Sequence, residues 1–182
     1  MEIIRKTIEN DLEYLKQISK NVDFYDEELL SDIESLTEYC RSDPNFFALA
    51  AVQIGIPKRL LYVKKTDLNT LDDPNHDESL VMINPVLLDA KGKTRYLEAC
   101  ASCLDNSGVI ERPYYIKIRY YDINKNEHIE EIEGFKSTVI CHELDHLDGI
   151  LHIDKSIELF HMNFDQRQEY RKIHPYEIIS KE

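Results

Sequence analysis

At 182 residues, 42% hydrophobic and 31% charged, the chain has the length and composition of one globular domain that builds a core without disulfide staples. Lys and Arg number 22 against 35 Asp and Glu, and the net charge of −13 excludes a broad cationic face for gripping nucleic acid. No apolar run approaches the roughly 18 residues of a membrane span, the charged opening lacks a signal-peptide core, and four Cys are too few for a dense disulfide framework. The expectation is a cytoplasmic protein with reduced thiols.

Residues 1–44 are predicted to be helical. Leu12, Leu15, Ile18 and Val22 recur at three- and four-residue steps, as do Leu29, Ile33, Leu36 and Cys40, and Pro44 ends the second segment. Residues 45–133 are predicted to be mainly strands: Leu60–Val63, then Leu80–Ile83 and Val86–Leu88 on either side of Asn84-Pro85, then Tyr114–Tyr121. In the last of these Ile116, Ile118 and Tyr120 share one face, and Tyr115, Lys117 and Arg119 the other. Residues 122–126 supply a turn, and the polar, acidic stretch 66–78 a loop. From Gly134 the period returns to that of a helix over 134–149, with Phe135, Val139, Ile140, Leu144 and Leu147 as its apolar face and Gly149 as the residue just past its end. Residues 160–182 read as a tail of mixed charge interrupted by Pro175. Helices, then antiparallel-looking strands, then a late helix define an α+β class in a single domain over 1–182.

His142-Glu143-Leu144-Asp145-His146 carries the chemistry. On a helix the two imidazoles lie one turn apart on one face and reach a single ion at ~2.0–2.1 Å, with Glu143 close enough to bond water held there. A mononuclear hydrolytic site also needs a third protein ligand and an open position. Two third ligands are available. Gly149 and His152 complete a metzincin-type string with His142 and His146. Alternatively, Cys100 in Glu98-Ala99-Cys100-Ala101-Ser102 completes a His₂Cys set; as a lone thiol it reads better as a small core residue.

Three separated segments together resemble the motifs of peptide deformylase. Phe46-Phe47-Ala48-Leu49-Ala50-Ala51-Val52-Gln53 is similar to Gly-x-Gly-Leu-Ala-Ala-x-Gln, and Glu98-Ala99-Cys100-Ala101-Ser102 to Glu-Gly-Cys-Leu-Ser. Residues 141–149 follow Gln-His-Glu-x-Asp-His-Leu-x-Gly at every fixed position but the first, where Cys141 stands. The resemblance spans residues 26–157. It implies a metal held by Cys100, His142 and His146, with Cys103 a rival thiol set aside by the flanking Glu98 and Ser102, and His152 a non-ligand. It further implies hydrolysis of an N-formyl amide: Glu143 as proton acceptor and donor, and the Gln53 amide and Ala101 backbone N–H as partners of the developing oxyanion. The ion it implies is Fe²⁺, with Zn²⁺, Ni²⁺ or Co²⁺ as substitutes; the substrate is the formylmethionyl end of nascent peptides, with ribosome association implied by the family alone.

Four motif positions depart from the family pattern: Phe46 and Ala48 replace glycines, Ala99 replaces a glycine, and Cys141 replaces a glutamine. The proposed ligands, base and Gln53 all remain, so the expectation is an intact centre with an altered substrate surface. A deformylase-like hydrolase of another N-acyl amide and a metal-binding paralogue of little activity are the competing readings.

Overall fold

In the computed structural model, which describes residues 3–23, 25–43, 46–65 and 78–182, the segment after Asp26 forms the helix α2 (Glu27–Arg41). The Asp26 carboxylate accepts from Leu29 N at 3.0 Å, and Glu27 and Glu28 sit in the first turn, where the helix dipole favours negative charge. Leu29, Leu36 and Cys40 are buried on its apolar stripe. The helix predicted before it reduces to one turn, α1 (Leu12–Leu15). Beyond it the chain runs past Pro57 and Arg59, where Lys20 N donates to Pro57 O and Lys20 O accepts from Arg59 N. Ile18 is accordingly 72% exposed: backbone pairing with a distant loop overrode the helical period. Pro44 and most of the predicted loop, residues 66–77, lie outside the described residues.

Two antiparallel sheets follow. The first has the order β1 (Ala48–Ala50), β2 (Leu60–Lys64), β3 (Ser79–Lys91), β6 (Tyr115–Tyr121), β7 (Glu127–Glu133). The second has the order β8 (Glu158–His161), β5 (Asn106–Arg112), β4 (Lys93–Ala99), β9 (Glu177–Ser180). Asn84-Pro85 does not end a strand. Strand β3 runs through it with a register shift, Asn84 taking φ 51° while its side chain bonds Val22 N and O at 2.8 and 2.9 Å. The alternation predicted for β6 holds, with Ile116, Ile118 and Tyr120 buried.

The helix α3 (Phe135–Leu147) packs into the first sheet. Ile140, Cys141, Leu144 and Leu147 join Ala48, Ala50, Val52, Leu61, Val63, Met82, Ile116 and Ile118 in one core cluster. Gly149 follows with φ +71°, and a Cβ there would lie 2.2 Å from Lys16 O, so the chain after the helix packs against the N-terminal segment in a way only glycine permits.

The predicted tail is structured. Residues 158–180 form β8, the helix α5 (Phe164–Ile173) and β9, which pairs with β4. Asn163 and Gln166 make a reciprocal capping box at 2.9 and 3.0 Å, a start signal present in the sequence at the expected three-residue spacing.

Candidate metal centre

The site forms where α3 meets the end of β4 and the turn after β1. Strand β4 ends at Ala99, and a tight turn, Ala101–Cys103, turns Cys100 toward the helix. A second such turn, Ala51–Ile54, closes at Gly55 (φ +89°) and presents Gln53. The Cys100 thiol and the ring nitrogens of His142 and His146 lie within 4.8 Å of one another, and Cys100 Sγ is 3.2 Å from His146 Nε2. Gln53 Nε2 donates to Cys100 Sγ at 3.4 Å and to Ser102 Oγ at 3.0 Å. Ala50 N donates to Gln53 Oε1 at 3.1 Å and to Glu143 Oε2 at 2.9 Å. The residues predicted from the sequence are thus brought together; Ala101 joins them as the first residue of its turn, whose N–H has no carbonyl partner within that turn.

Glu98 supports the centre from behind. It is 5% exposed, and its Oε2 accepts from His142 Nδ1 at 2.8 Å. That bond leaves His142 Nε2 as the nitrogen available to a ligand. Arg112 donates to both Glu98 oxygens at 2.8 and 2.9 Å and pairs with Asp145, which also meets Lys155 at 3.0 Å. The sequence reading left the roles of Glu98 and Asp145 open and did not single out Arg112. A signal for it existed: Arg112 falls in phase with the buried Ile110 on β5, where an unpaired charge is not tolerated.

Burial raises the Glu98 carboxyl, but the bonds from Arg112 and His142 outweigh it and hold the pKa at about 2. The hydrogen bond from Cys103 holds the Cys100 thiol well below its ordinary value against the opposing effect of burial, with His146 adding to the lowering. Burial works against protonation of His142, yet Cys100 and Glu98 raise it well above its ordinary value. Burial pushes Glu143 up. Arg112 balances the Glu98 carboxylate, and the lowered Cys100 thiol adds a second buried group that favours its anionic form. A divalent cation would balance the same charge, and the thiolate and two imidazoles are a donor set of the kind that binds Zn²⁺ or Fe²⁺. His146 Nδ1, buried and without a hydrogen-bond partner among the described residues, leaves Cys100 as the polar neighbour of that ring. The residues present fit a metal ion.

A cavity of about 1090 Å³ opens over the centre, lined by Gln53, Cys100, Ala101, His142 and Glu143. Three of the four departures, Phe46, Ala48 and Ala99, also line it. The fourth, Cys141, is packed in the core, and burial pushes its thiol up to about 11.

The polypeptide deformylase family model matches residues 4–161, and the chain belongs to this family. A peptide deformylase of Novosphingobium aromaticivorans is 36% identical over 170 residues, covering 83% of this chain and 88% of the relative. Peptide deformylase 1 of Clostridium acetobutylicum is 34% identical, covering 80% and 90%. Among solved structures, the peptide deformylase of Thermotoga maritima superposes with a TM-score of 0.73 at 28% identity, covering 87% of this chain and 99% of that one. A probable peptide deformylase of Synechococcus phage S-SSM7 gives 0.71 at 29% identity, covering 85% and 99%. Among the described residues no helix is long and apolar enough to cross a membrane.

Proposed function

We propose that the chain hydrolyses the N-formyl group of formylmethionine at the ends of nascent peptides, releasing formate and a free amine. One divalent ion would be held by Cys100, His142 and His146. Iron(II) is the ion proposed, by family resemblance; the same three donors also accept Zn²⁺, Ni²⁺ or Co²⁺. Such an ion lowers the pKa of bound water and polarises the formyl oxygen. The observation that carries the reading is the meeting of one thiol and two imidazoles within 4.8 Å beside a cavity lined by Cys100, His142, Glu143 and Gln53.

The chain's own groups divide the remaining work. Glu143 takes the proton of the attacking water and passes it to the leaving nitrogen; the burial that raises its pKa brings its basicity closer to neutral pH, where such transfer is most efficient. The Gln53 amide N–H and the Ala101 backbone N–H donate to the developing oxyanion. Glu98 fixes the orientation and proton position of His142, and Arg112 fixes Glu98. Phe46, Ala48 and Ala99 in the cavity wall favour a changed preference among formylated or otherwise acylated peptides. Nascent peptide ends are the partner this reading requires, in the cytoplasm; ribosome docking rests on family resemblance.

Anaerobically purified protein loaded with Fe²⁺ should release formate from formyl-Met-Ala-Ser, more slowly than a deformylase with glycines at the three wall positions. Glu143→Ala should abolish release while retaining the metal, and chelation should abolish it reversibly. Absence of formate from every metal-loaded form would overturn the reading; turnover of acetyl-Met-Ala-Ser in its place would redirect it to another N-acyl substrate.

A further inference from the structure

Cys103, which hydrogen-bonds the Cys100 thiol, and His152 are not ligands of the centre described above, yet both are almost fully buried, at 0% and 1% exposure. The segment Cys100-Ala101-Ser102-Cys103 has the C-x-x-C spacing of a two-thiol chelate. Its turn is closed by Cys103 N donating to Cys100 O at 3.0 Å, which presents both sulfurs from one short stretch of backbone. His152 begins the short helix α4 (His152–Lys155), and its ring stacks on His142 with centroids 5.6 Å apart. Its Nε2 lies 3.2 Å from Asn106 O. A carbonyl only accepts, so Nε2 carries the proton and Nδ1 bears the lone pair. Nδ1 is buried and has no hydrogen-bond partner among the described residues. An imidazole in this tautomer has a vacant ligand position that no hydrogen-bond donor among the described residues fills. The Cys100 and Cys103 sulfurs and a ring nitrogen of His152 all lie within 4.8 Å of one another. Ligand atoms around a tetrahedral ion at ~2.0–2.3 Å stand roughly 3.3–3.8 Å apart, a span that small rotations of these side chains reach.

We propose that Cys100, Cys103 and His152 form a second cation position that shares the Cys100 sulfur with the first and takes a thiolate-seeking divalent ion, Zn²⁺. Binding breaks the S–H bond of Cys103 and forms an S–Zn bond, and the proton leaves to buffer. Two sulfurs and one imidazole select a softer ion than the one-sulfur set beside it. The position shares Cys100 with the proposed hydrolytic centre but requires neither His142 nor His146, so substitutions at His146, Cys103 and His152 tell the two apart.

The full chain, stripped of metal under anaerobic reducing conditions, is loaded with Zn²⁺ alone, desalted, and its zinc-to-protein ratio measured. Two ions per chain are expected for the wild type and one each for Cys103→Val and His152→Phe. Loading with Co²⁺ should give a thiolate-to-cobalt charge-transfer absorption that grows again with the second equivalent in the wild type and not in Cys103→Val. A single ion in the wild type, unaffected by either substitution but lost in His146→Ala, overturns the proposal and leaves the hydrolytic centre standing. Two ions retained by both variants also overturn it. A single ion lost only in Cys103→Val and His152→Phe keeps this ligand set and removes the one containing His142 and His146. Should the variants fail to fold, the wild-type ratio decides: one ion is against the proposal, two are for it.

Discussion

Arg112→Met tests the charge network behind the centre. The substitution removes two bonds to Glu98, at 2.8 and 2.9 Å, and the pair with Asp145, while a side chain of similar length fills the space. The gap between an ordinary glutamate near 4.5 and about 2 for Glu98, to which Arg112 and His142 both contribute, corresponds to about 3 kcal/mol of stability at neutral pH, with Arg112 first among the groups that lower it. Because Glu98 is 5% exposed, solvent screening does not reduce this appreciably. The figure agrees with the roughly 3–5 kcal/mol lost when one member of a buried ion pair is removed. A carboxyl whose folded pKa is depressed contributes its full stability above 4.5 and loses it as pH falls toward about 2. Urea unfolding of both proteins at equal metal loading should therefore show a midpoint loss of about 3 kcal/mol at neutral pH with unchanged m, and a loss that shrinks as pH drops from 4.5 toward about 2. The double variant with Glu98→Gln should lose less than the sum of the two single changes. A neutral-pH loss below about 1 kcal/mol, the value of an exposed pair, or a loss that does not change across the acid range, would refute the reasoning.

Gln53→Leu removes an N–H donor from the cavity wall, and kcat for formyl-Met-Ala-Ser should fall by roughly 10²–10³ with a smaller change in KM; an equal fall in substrate binding would place Gln53 in recognition instead. Ala48→Gly restores the family residue in the wall, and kcat/KM for the same peptide should rise roughly tenfold, the low end of what one methyl group decides in a pocket; an unchanged or lower value would show that Ala48 does not crowd the substrate. Gly149→Ala forces a Cβ to within 2.2 Å of Lys16 O at φ +71°, and the protein should lose at least ~1–3 kcal/mol; an unshifted thermal midpoint would mean that the turn tolerates a side chain.

Much of the fold can be read along the chain. The stripe of α2, the alternation of β6 and the span of α3 follow from spacings of two, three or four residues, which are set by backbone geometry, and the turn at 122–126 follows from its Asp and Asn residues. The readings that failed did so for two different reasons. The period from Leu12 to Val22 is helical, but residues past Leu15 gain more by pairing their backbone with the segment around Pro57 and Arg59. The C-terminal residues carry little apolar signal, since no residue of α5 is buried, and their strongest cue was the capping box at Asn163 and Gln166.

His142 and His146 face the same way because a helix puts residues four apart on one side, so that pair was legible in the order of the residues. What joins them was not. Cys100 lies 46 residues from His146, Gln53 47 from Cys100, and Glu143 bonds the backbone of Ala50 93 residues away. No local period spans such separations; motif resemblance nominated these partners, and the packing of α3 between the end of β4 and the turn after β1 brings them into range. The same packing places Arg112 on Glu98, and Cys103 beside His152, because side chains from remote segments become neighbours only where sheets and helix close on a shared core.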